Sequence, residues 1–186
     1  MVENLRIERI SVDSLHDFLN YFDHRAFLND EDWAGCYCQA YLNSPDDNGE
    51  EAWAPGAARQ RACDRVATGA MDGYLIYAGE KVLGWCAAGS SKLYPEVAES
   101  DEKLASIVCL SIDPDFRNQG VAGKLVDLVI KDLSDRGFEA VDASPKRSGE
   151  MSDKGFRGSV KMYEERGFEK LREHGEDFVL MRKQLA

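Results

Sequence analysis

The feature of the sequence that most limits its fold is an apolar strand that leads, through a proline and a glycine, into an amphipathic helix. Residues 107–112 (Ile-Val-Cys-Leu-Ser-Ile) are almost continuously apolar, which is typical of a strand buried on both faces, and Asp113 and Pro114 end the run. After Gly120, apolar residues recur at helical spacing as far as Leu133. A strand buried on both faces needs a layer on each side of its sheet, so this segment predicts a chain of the α/β class.

The rest of the chain supplies further strands and helices for such a sheet. Alternation of apolar and polar residues, a hairpin with a short glycine-containing connection and two later apolar runs predict strands at residues 5–10, 74–77, 82–86, 138–144 and 178–181. Helices are predicted to end at Gly137 and Gly167, because each glycine is followed by a phenylalanine that can fold back on the last turn. We therefore expect an α/β (α+β) fold with a mixed central sheet flanked by helices.

Charge and hydropathy narrow the class of function. The formal net charge of −11 repels phosphate backbones, so nucleic acid is not expected as a partner. Apolar runs fall short of the roughly 20 residues that span a bilayer, and the N-terminus lacks the pattern of a secretion signal. We expect a cytoplasmic protein that does not bind membranes.

The five cysteines form an odd set that does not suit a disulfide framework. Free thiols are the expectation in a reducing compartment, where they behave as small apolar groups. Cys36 and Cys38 form a C-x-C pattern without a second pair of ligands nearby, so no metal site is predicted.

The turn between the apolar strand and its helix has the properties of a phosphate site. A helix start exposes backbone N–H groups without internal partners, and the helix dipole adds positive potential there. Gly120 lets an oxygen approach the backbone closely, Ala122 and Gly123 keep the first turn small, and Arg117 adds charge. The segment predicts a diphosphate site, and the alternative is a capped strand-to-helix loop that binds nothing.

Two segments of the chain resemble the GCN5-related N-acetyltransferase family. Residues 110–125 resemble its coenzyme A motif, Arg/Gln-x-x-Gly-x-Gly/Ala after a strand, and residues 159–168 resemble its second signature, a helix with a tyrosine followed by Gly-Phe. Strong resemblance covers about residues 106–168, and the N-terminal half agrees in element order only. The resemblance implies one acetyltransferase domain over residues 1–186, with a sheet of about six to seven strands, a coenzyme A motif at about 106–136 and a catalytic signature at about 156–168.

The resemblance also implies which residues bind acetyl-CoA. Leu110, Ser111 and Ile112 would present backbone groups to the pantetheine arm and polarise the thioester carbonyl. Backbone N–H groups would bind the pyrophosphate at Asn118, Gln119, Gly120, Val121, Ala122 and Gly123. Many relatives carry an asparagine seven residues before the signature tyrosine, where this chain has Phe156, so a contact to the pantetheine is in question.

Tyr163 is the tyrosine of the second signature, and the resemblance implies that it lies near the sulfur as general acid. A phenol with a pKa near 10 can supply a proton to a departing thiolate whose pKa is near 8.5. The alternative is that Tyr163 is an amphipathic core residue.

The acceptor amine must lose a proton before it attacks, which requires a base or a chain of waters. Asp142 is the candidate, since Ala140, Asp142 and Ser144 share one face of the strand expected beside the cofactor. A hydrogen-bonded structural aspartate is the alternative, and Glu96 and Glu99 remain open as other bases.

An aromatic and thiol-rich segment is a further candidate for the acceptor side. Trp33, Cys36 and Cys38, with Trp85 and Cys86, resemble a Trp-x-x-Cys-x-Cys pattern in a subset of the family. The hypothesis is a pocket for the acceptor, and the alternative is a core cluster that packs the N-terminal helices.

The predicted activity is N-acetyl transfer from acetyl-CoA to a primary amine of a small molecule or peptide, in one step within a ternary complex. Transfer through Cys109 is disfavoured because a thiol in an apolar strand has a raised pKa. The alternative class is an acyl-CoA sensor or partner-binding module that has lost turnover. Dimers are common in the family, which leaves a homodimer open.

Overall fold

Seven strands form one mixed sheet in the residues that the computed structural model describes, which are 2–28, 33–42, 49–94, 99, 101–147 and 156–185. The strands are β1 (Leu5–Arg9), β2 (Tyr74–Ala78), β3 (Lys81–Ser90), β4 (Leu104–Ile112), β5 (Ala140–Ala143), β6 (Glu169–His174) and β7 (Phe178–Gln184). Their spatial order is β1-β2-β3-β4-β5-β7-β6, with β4 and β5 parallel and the other neighbours antiparallel. The predicted mixed sheet is confirmed.

Helices cover both faces of this sheet. The described residues contain α1 (Leu15–His24), α2 (Ala57–Thr68), α3 (Val121–Asp135) and α4 (Val160–Glu164). The first two pack with Leu75 and Trp85 in one core, whereas α3 and α4 pack with Tyr74 and Ile76 in another. Because successive side chains of a strand point to opposite faces, these cores lie on opposite sides of the sheet, as the sequence predicts.

β4 occupies the centre of the sheet. All nine of its residues are buried, which confirms the predicted burial on both faces. Ile107 and Leu110 belong to the core on the α3 side, and Val108 and Cys109 belong to the core on the α1 side. The change of alternation coincides with a register shift against β3 between Ala87 and Ala88, which is the mark of a β-bulge.

β5 pairs with only the first part of β4. The parallel register runs from Leu104 opposite Ala140 to Ile107 opposite Ala143, and it ends there. β4 continues to Ile112. Its last residues, 108–112, therefore have main-chain groups on the β5 side that border a gap instead of a neighbouring strand.

Some elements differ from the sequence-based expectation. The sequence does not predict β6, because five of its six residues are exposed and it shows no apolar alternation; pairing with β7 forms it. β5 is shorter than the predicted 138–144, since Phe138 closes α3 through a hydrogen bond from its N–H to Leu133 O at 3.2 Å. Within the described ranges, no helix combines the length and the apolar character needed to cross a bilayer.

Candidate functional site

The turn that follows β4 is held by a buried aspartate. The carboxylate of Asp113 is fully buried, accepts hydrogen bonds from Arg25 at 2.8 and 2.6 Å, and accepts one from the Asp115 N–H at 3.0 Å. Residues Pro114–Phe116 form one 3₁₀ turn after it. Because Arg25 is the C-terminal cap of α1, this ion pair fixes the turn to the N-terminal helix.

Positive backbone φ angles then redirect the chain into α3. Asn118 has φ 59° and Gly120 has φ 81°, and α3 begins at Val121. Asparagine and glycine are the residues that adopt this left-handed region at least cost. The sequence predicts a phosphate-binding turn at these positions, and phosphate binding there remains a prediction.

The start of α3 presents backbone N–H groups outside the helix ladder. The first bond of that ladder runs from the Lys124 N–H to Gly120 O at 3.0 Å, so the N–H groups of Val121, Ala122 and Gly123 precede it. These amides lie at the positive end of a helix of 15 residues. The arrangement can hold an anion such as a diphosphate.

A neighbouring arginine gives a second reason for a glycine at position 123, which the spacing of the sequence does not reveal. A Cβ at this position would collide with the guanidinium of Arg166, which follows α4. Arg166 donates from Nε to Gly123 O at 2.9 Å and from Nη1 to Met162 O at 2.7 Å. Gly123 therefore lets an arginine join α3 to the end of α4.

The side chains of Arg117 and Gln119 stabilise the turn itself. Arg117 donates from Nε to Ile112 O at 3.1 Å, and Gln119 donates from Nε2 to Asp115 O at 2.8 Å. Both bonds close the loop between β4 and α3. Any contact of these two residues with a phosphate remains a prediction.

The three β4 residues expected along the pantetheine do not all face the same way. The Asp113 N–H donates to Leu83 O at 2.9 Å, and alternation along an antiparallel ladder turns the main chain of Ser111 toward β3 as well. Leu110 and Ile112 therefore direct their backbone groups toward the gap. The Ser111 hydroxyl lies 3.1 Å from Tyr21 Oη in the α1 core.

The amide of Leu110 already has a partner in the gap. Its N–H donates to Phe156 O at 2.6 Å, so the chain that leads into α4 lies along the open side of β4. Gly158 in the same segment approaches Leu110 and Tyr163 so closely that a Cβ would contact both. The residue that replaces the family's asparagine thus touches β4 through its main chain.

Tyr163 lies beside this segment, and its hydroxyl group has no partner among the residues that the structure describes. The side chain is fully buried, and its ring packs edge-on against Phe168 at 4.9 Å between centroids. Its Oη makes no hydrogen bond to any described residue. Burial raises the pKa of Tyr163 well above its usual value, so the phenol is protonated at neutral pH. A buried hydroxyl without a partner is uncommon and indicates a position prepared for one.

Asp142 is buried in a two-point ion pair. Its two carboxylate oxygens accept from Arg182 Nε at 2.6 Å and from Arg182 Nη2 at 2.8 Å. Glu99 lies 3.8 Å from the same guanidinium and 3.1 Å from that of Arg172. Both carboxylate oxygens of Asp142 are therefore engaged by one guanidinium. Glu96 lies outside the described residues.

The aromatic and thiol-rich set divides between core and surface. Cys38, Trp85 and Cys86 are buried, and Cys38 and Trp85 belong to the core on the α1 side, as the packing alternative expects. Trp33 is 38% exposed, and its ring lies 6.1 Å from that of Phe156. Trp33 is therefore the member of the set placed to border a ligand. All five cysteines are free thiols.

A small pocket of about 10 Å³, which is room for one water molecule, opens where β4 and β5 stop pairing. Its lining includes Ser106, Val108, Asp142, Ser144, Arg157 and Leu180. The sequence does not single out Ser106 or Arg157, because each belongs to a segment whose pattern is dominated by its apolar neighbours. The pocket shares the α1 face of the sheet with Asp142, opposite the face on which Tyr163 is buried.

Known proteins match this chain in family and in fold. The model described as the Acetyltransferase (GNAT) family matches residues 30–168, and no curated protein sequence matches significantly. The PaiA N-acetyltransferase of Thermoplasma acidophilum, solved with coenzyme A, has a TM-score of 0.58 at 12% identity, covering 97% of this chain and 99% of that one. The ribosomal-protein-alanine N-acetyltransferase of Brucella melitensis has a TM-score of 0.59 at 14% identity, covering 97% and 99%. At such identities the likeness concerns the fold.

Proposed function

The chain belongs to the GNAT acetyltransferase family, and on this basis we propose that it is an acetyl-CoA-dependent N-acetyltransferase acting on a primary amine. The whole of residues 1–186 forms its catalytic domain in this proposal. The observation that carries it is the buried phenol of Tyr163, whose ring lies with Leu110 around Gly158 and whose hydroxyl makes no hydrogen bond to any described residue.

In this proposal the coenzyme binds at the N-terminus of α3. The backbone amides of residues 118–123 would hold the pyrophosphate, with the helix dipole adding positive potential. The turn can accept a diphosphate because Gly120 has open space where a Cβ would lie. This proposal rests on the backbone of the turn, while Arg117 supports its shape.

The open edge of β4 would orient the thioester. Leu110 and Ile112 direct main-chain groups into the gap, so the Leu110 N–H can stabilise the oxyanion that develops on the thioester carbonyl. That N–H now donates to Phe156 O, and it becomes available only when the Phe156 peptide moves.

Tyr163 would act as the general acid. Attack of the neutral amine forms the C–N bond, and collapse of the intermediate breaks the C–S bond. The leaving thiolate takes its proton from the Tyr163 hydroxyl, and the tyrosine regains a proton from solvent. Burial raises the pKa of the phenol, which keeps it protonated at neutral pH but opposes the loss of its proton, so proton donation to the sulfur has to be completed by reprotonation of Tyr163 from solvent.

Asp142 is the proposed acceptor of the proton lost by the amine, directly or through water. It lines the pocket at the end of the β4–β5 pairing, where the amine would approach. The ion pair with Arg182 opposes this role, because both carboxylate oxygens are already engaged. Glu99 is the alternative on the same face.

The proposal is tested by calorimetric titration with acetyl-CoA, followed by thiol release over a broad panel of amines. We expect binding of acetyl-CoA and release of one thiol per acetylated amine. Binding without turnover on any amine would favour the sensor or partner-binding module, and absence of binding would refute the proposal.

A further inference from the structure

Arg166 joins the two helices that carry the proposed chemistry. Its Nε donates to Gly123 O at 2.9 Å, in the first turn of α3, and its Nη1 donates to Met162 O at 2.7 Å, in α4. The carboxylate of Asp127, further along α3, lies 2.9 Å from the same Nε, and the arginine side chain is only 18% exposed. One largely buried guanidinium therefore links the turn proposed to bind the pyrophosphate with the helix that carries Tyr163.

The end of α4 uses this guanidinium as a hydrogen-bond donor. The helix has five residues, far fewer than the roughly 12–15 below which an isolated helix is marginal in water. Among the residues that the structure describes, the main-chain donors at this end go to the carbonyls of Lys161, Tyr163 and Glu164. The side chain of Arg166 supplies the donor for Met162 O. Because Met162 directly precedes Tyr163, this bond acts on the backbone next to the phenol.

Gly123 leaves the space that the guanidinium occupies. A Cβ at this position would collide with Nη2 of Arg166. Alanine would strengthen α3 relative to glycine, so the contact with Arg166 opposes a change that helix propensity favours. The coenzyme would use the amide of Gly123, whereas Arg166 uses its carbonyl. Both can therefore act on the same residue.

In the described part of the chain, the hydroxyl of Tyr163 is not fixed by a partner of its own. It is buried and makes no hydrogen bond there, while the ring packs against Phe168. The distance between this hydroxyl and a coenzyme bound at α3 therefore depends on how α4 is held. Burial raises the pKa of Tyr163, and the positive charge of Arg166 acts against that rise, which favours release of the proton.

We propose that Arg166 is a positioning residue of the acetyl transfer, which holds Tyr163 in register with the bound coenzyme by tying Gly123 to Met162. This inference rests on the proposed function and adds to it a residue that acts only through Tyr163. Loss of Arg166 leaves the amides of the turn able to bind acetyl-CoA but lets the phenol shift relative to the sulfur. A misplacement of about 1 Å can cost about 10²-fold in rate.

Arg166→Met removes both hydrogen bonds and keeps an unbranched side chain. We expect kcat to fall by about 10- to 100-fold, while the Kd for acetyl-CoA, measured by calorimetry, stays within about threefold of the wild type. Arg166→Lys keeps the charge but lacks the planar fork, so it should recover part of the lost kcat. Arg136→Met is the matched control, because Arg136 caps the end of α3, is 24% exposed and pairs with Asp72. The control should retain the wild-type kcat, and thermal unfolding identifies any variant that is not folded in the assay.

Gly123→Ala tests the same contact from the side of α3. The added Cβ displaces the guanidinium, so kcat at saturating acetyl-CoA should fall. Adding Arg166→Met to Gly123→Ala should then lower kcat by no more than about twofold further, because both changes break the same link.

A comparison in the Tyr163→Phe background separates positioning from a general loss of structure. No phenol proton remains to be placed there, so Arg166→Met should lower kcat by no more than about twofold in that background. Losses that multiply in either double variant, an unchanged kcat in Arg166→Met, or a loss confined to acetyl-CoA affinity would each overturn the inference. If Arg166→Met does not fold, Arg166→Lys carries the same comparisons. These outcomes leave the acetyltransferase proposal intact, whereas failure of the wild type to bind acetyl-CoA would refute the proposed function and this inference with it.

Discussion

Tyr163 shows how much a single residue in this chain depends on context. Its position is predictable from the helix followed by Gly167 and Phe168, yet helix spacing also suits a core residue. The structure has both features, since the ring is packed against Phe168 and the hydroxyl is buried without a described partner. A core role alone does not explain the hydroxyl, because phenylalanine would fill the same space without an unsatisfied polar group.

Replacement of Tyr163 by phenylalanine separates the two roles. We expect turnover to fall by about 10²-fold or more, because the proton donor for the thiolate is lost. Acetyl-CoA affinity should stay within about twofold, and the free energy of unfolding should not fall, since the removed hydroxyl costs about 1–3 kcal/mol while unpaired. Steady-state kinetics, calorimetry and urea unfolding check the three values. Unchanged turnover would remove Tyr163 from the mechanism.

Asp142 is the second residue whose role a substitution can decide. If it accepts the proton of the amine, Asp142→Asn should lower kcat by about 10²-fold or more. If it serves only to pair Arg182, the double variant Asp142→Asn/Arg182→Gln should recover the activity lost in the single variant. Steady-state kinetics of the wild type, the single variant and the double variant distinguish these outcomes.

Sequence patterns do not reveal residues that act across elements. Arg166 contacts Gly123, and Arg157 contacts the rings of Tyr41 and Phe178. In each of these contacts the two residues are far apart along the chain. No local period marks such contacts, because they depend on how α4 and β7 are placed against the rest of the sheet. The phosphate-binding turn is local, which is why its residues could be singled out from the sequence.

At the scale of elements, the segment from β4 to α3 is the best predicted part of the fold. Its strand, its proline stop and its glycine turn each follow from local sequence, and the bounds of α3 agree with the apolar period. β6 is the opposite case, because its exposed residues carry no period and the strand exists through pairing with β7.

The proposed binding of acetyl-CoA at the turn before α3 can be tested by introducing one negative charge there. Gly120→Glu should abolish acetyl-CoA binding, since a carboxylate would face the pyrophosphate at the helix start. Gly120→Ala measures the cost of the backbone alone, since φ is 81° there. Gly137→Glu is the matched control: its φ is 87° and it lies just past the other end of α3. Calorimetry should find acetyl-CoA binding retained in the control.

The ion pair between α1 and this turn predicts a pH dependence of stability. Burial alone would raise the pKa of Asp113, but hydrogen bonds from Arg25 hold it below the usual value of 3.8. A carboxyl group whose pKa is lower in the folded state stabilises that state above the unfolded pKa. The contribution is lost as the pH falls from 3.8 through the folded value.

Arg25→Ala should therefore lower the free energy of unfolding by about 2–3 kcal/mol at neutral pH, because Asp113 is left buried without its cation. The deficit relative to the wild type should shrink as the pH is lowered from about 5 to 2. Urea unfolding at a series of pH values measures this deficit. Arg6→Ala is the control, because Arg6 forms an exposed ion pair with Glu8. A deficit independent of pH would contradict the role given to Asp113.

At the scale of the whole molecule, the layers were predictable and the strand order was not. Burial of β4 on both faces requires helices on each side, whatever the pairing. The order in which β5, β7 and β6 follow β4 depends on long-range contacts that leave no trace in any local window. The gap beside β4 could therefore be expected only through resemblance to a family, and its closure by the Phe156 carbonyl could not be expected at all.

In this structure the Leu110 N–H already donates to the Phe156 carbonyl, so a coenzyme that binds to the same N–H has to replace that carbonyl. The free energy of coenzyme binding is then the free energy gained from the new contacts, less the free energy lost with the hydrogen bond between Leu110 and Phe156. Phe156 directly precedes Arg157, and its ring packs against the rings of Phe27 and Trp33. If the coenzyme displaces this peptide, the segment that carries Arg157 moves with it, and product-inhibition kinetics should then show ordered binding, with acetyl-CoA bound first and coenzyme A released last.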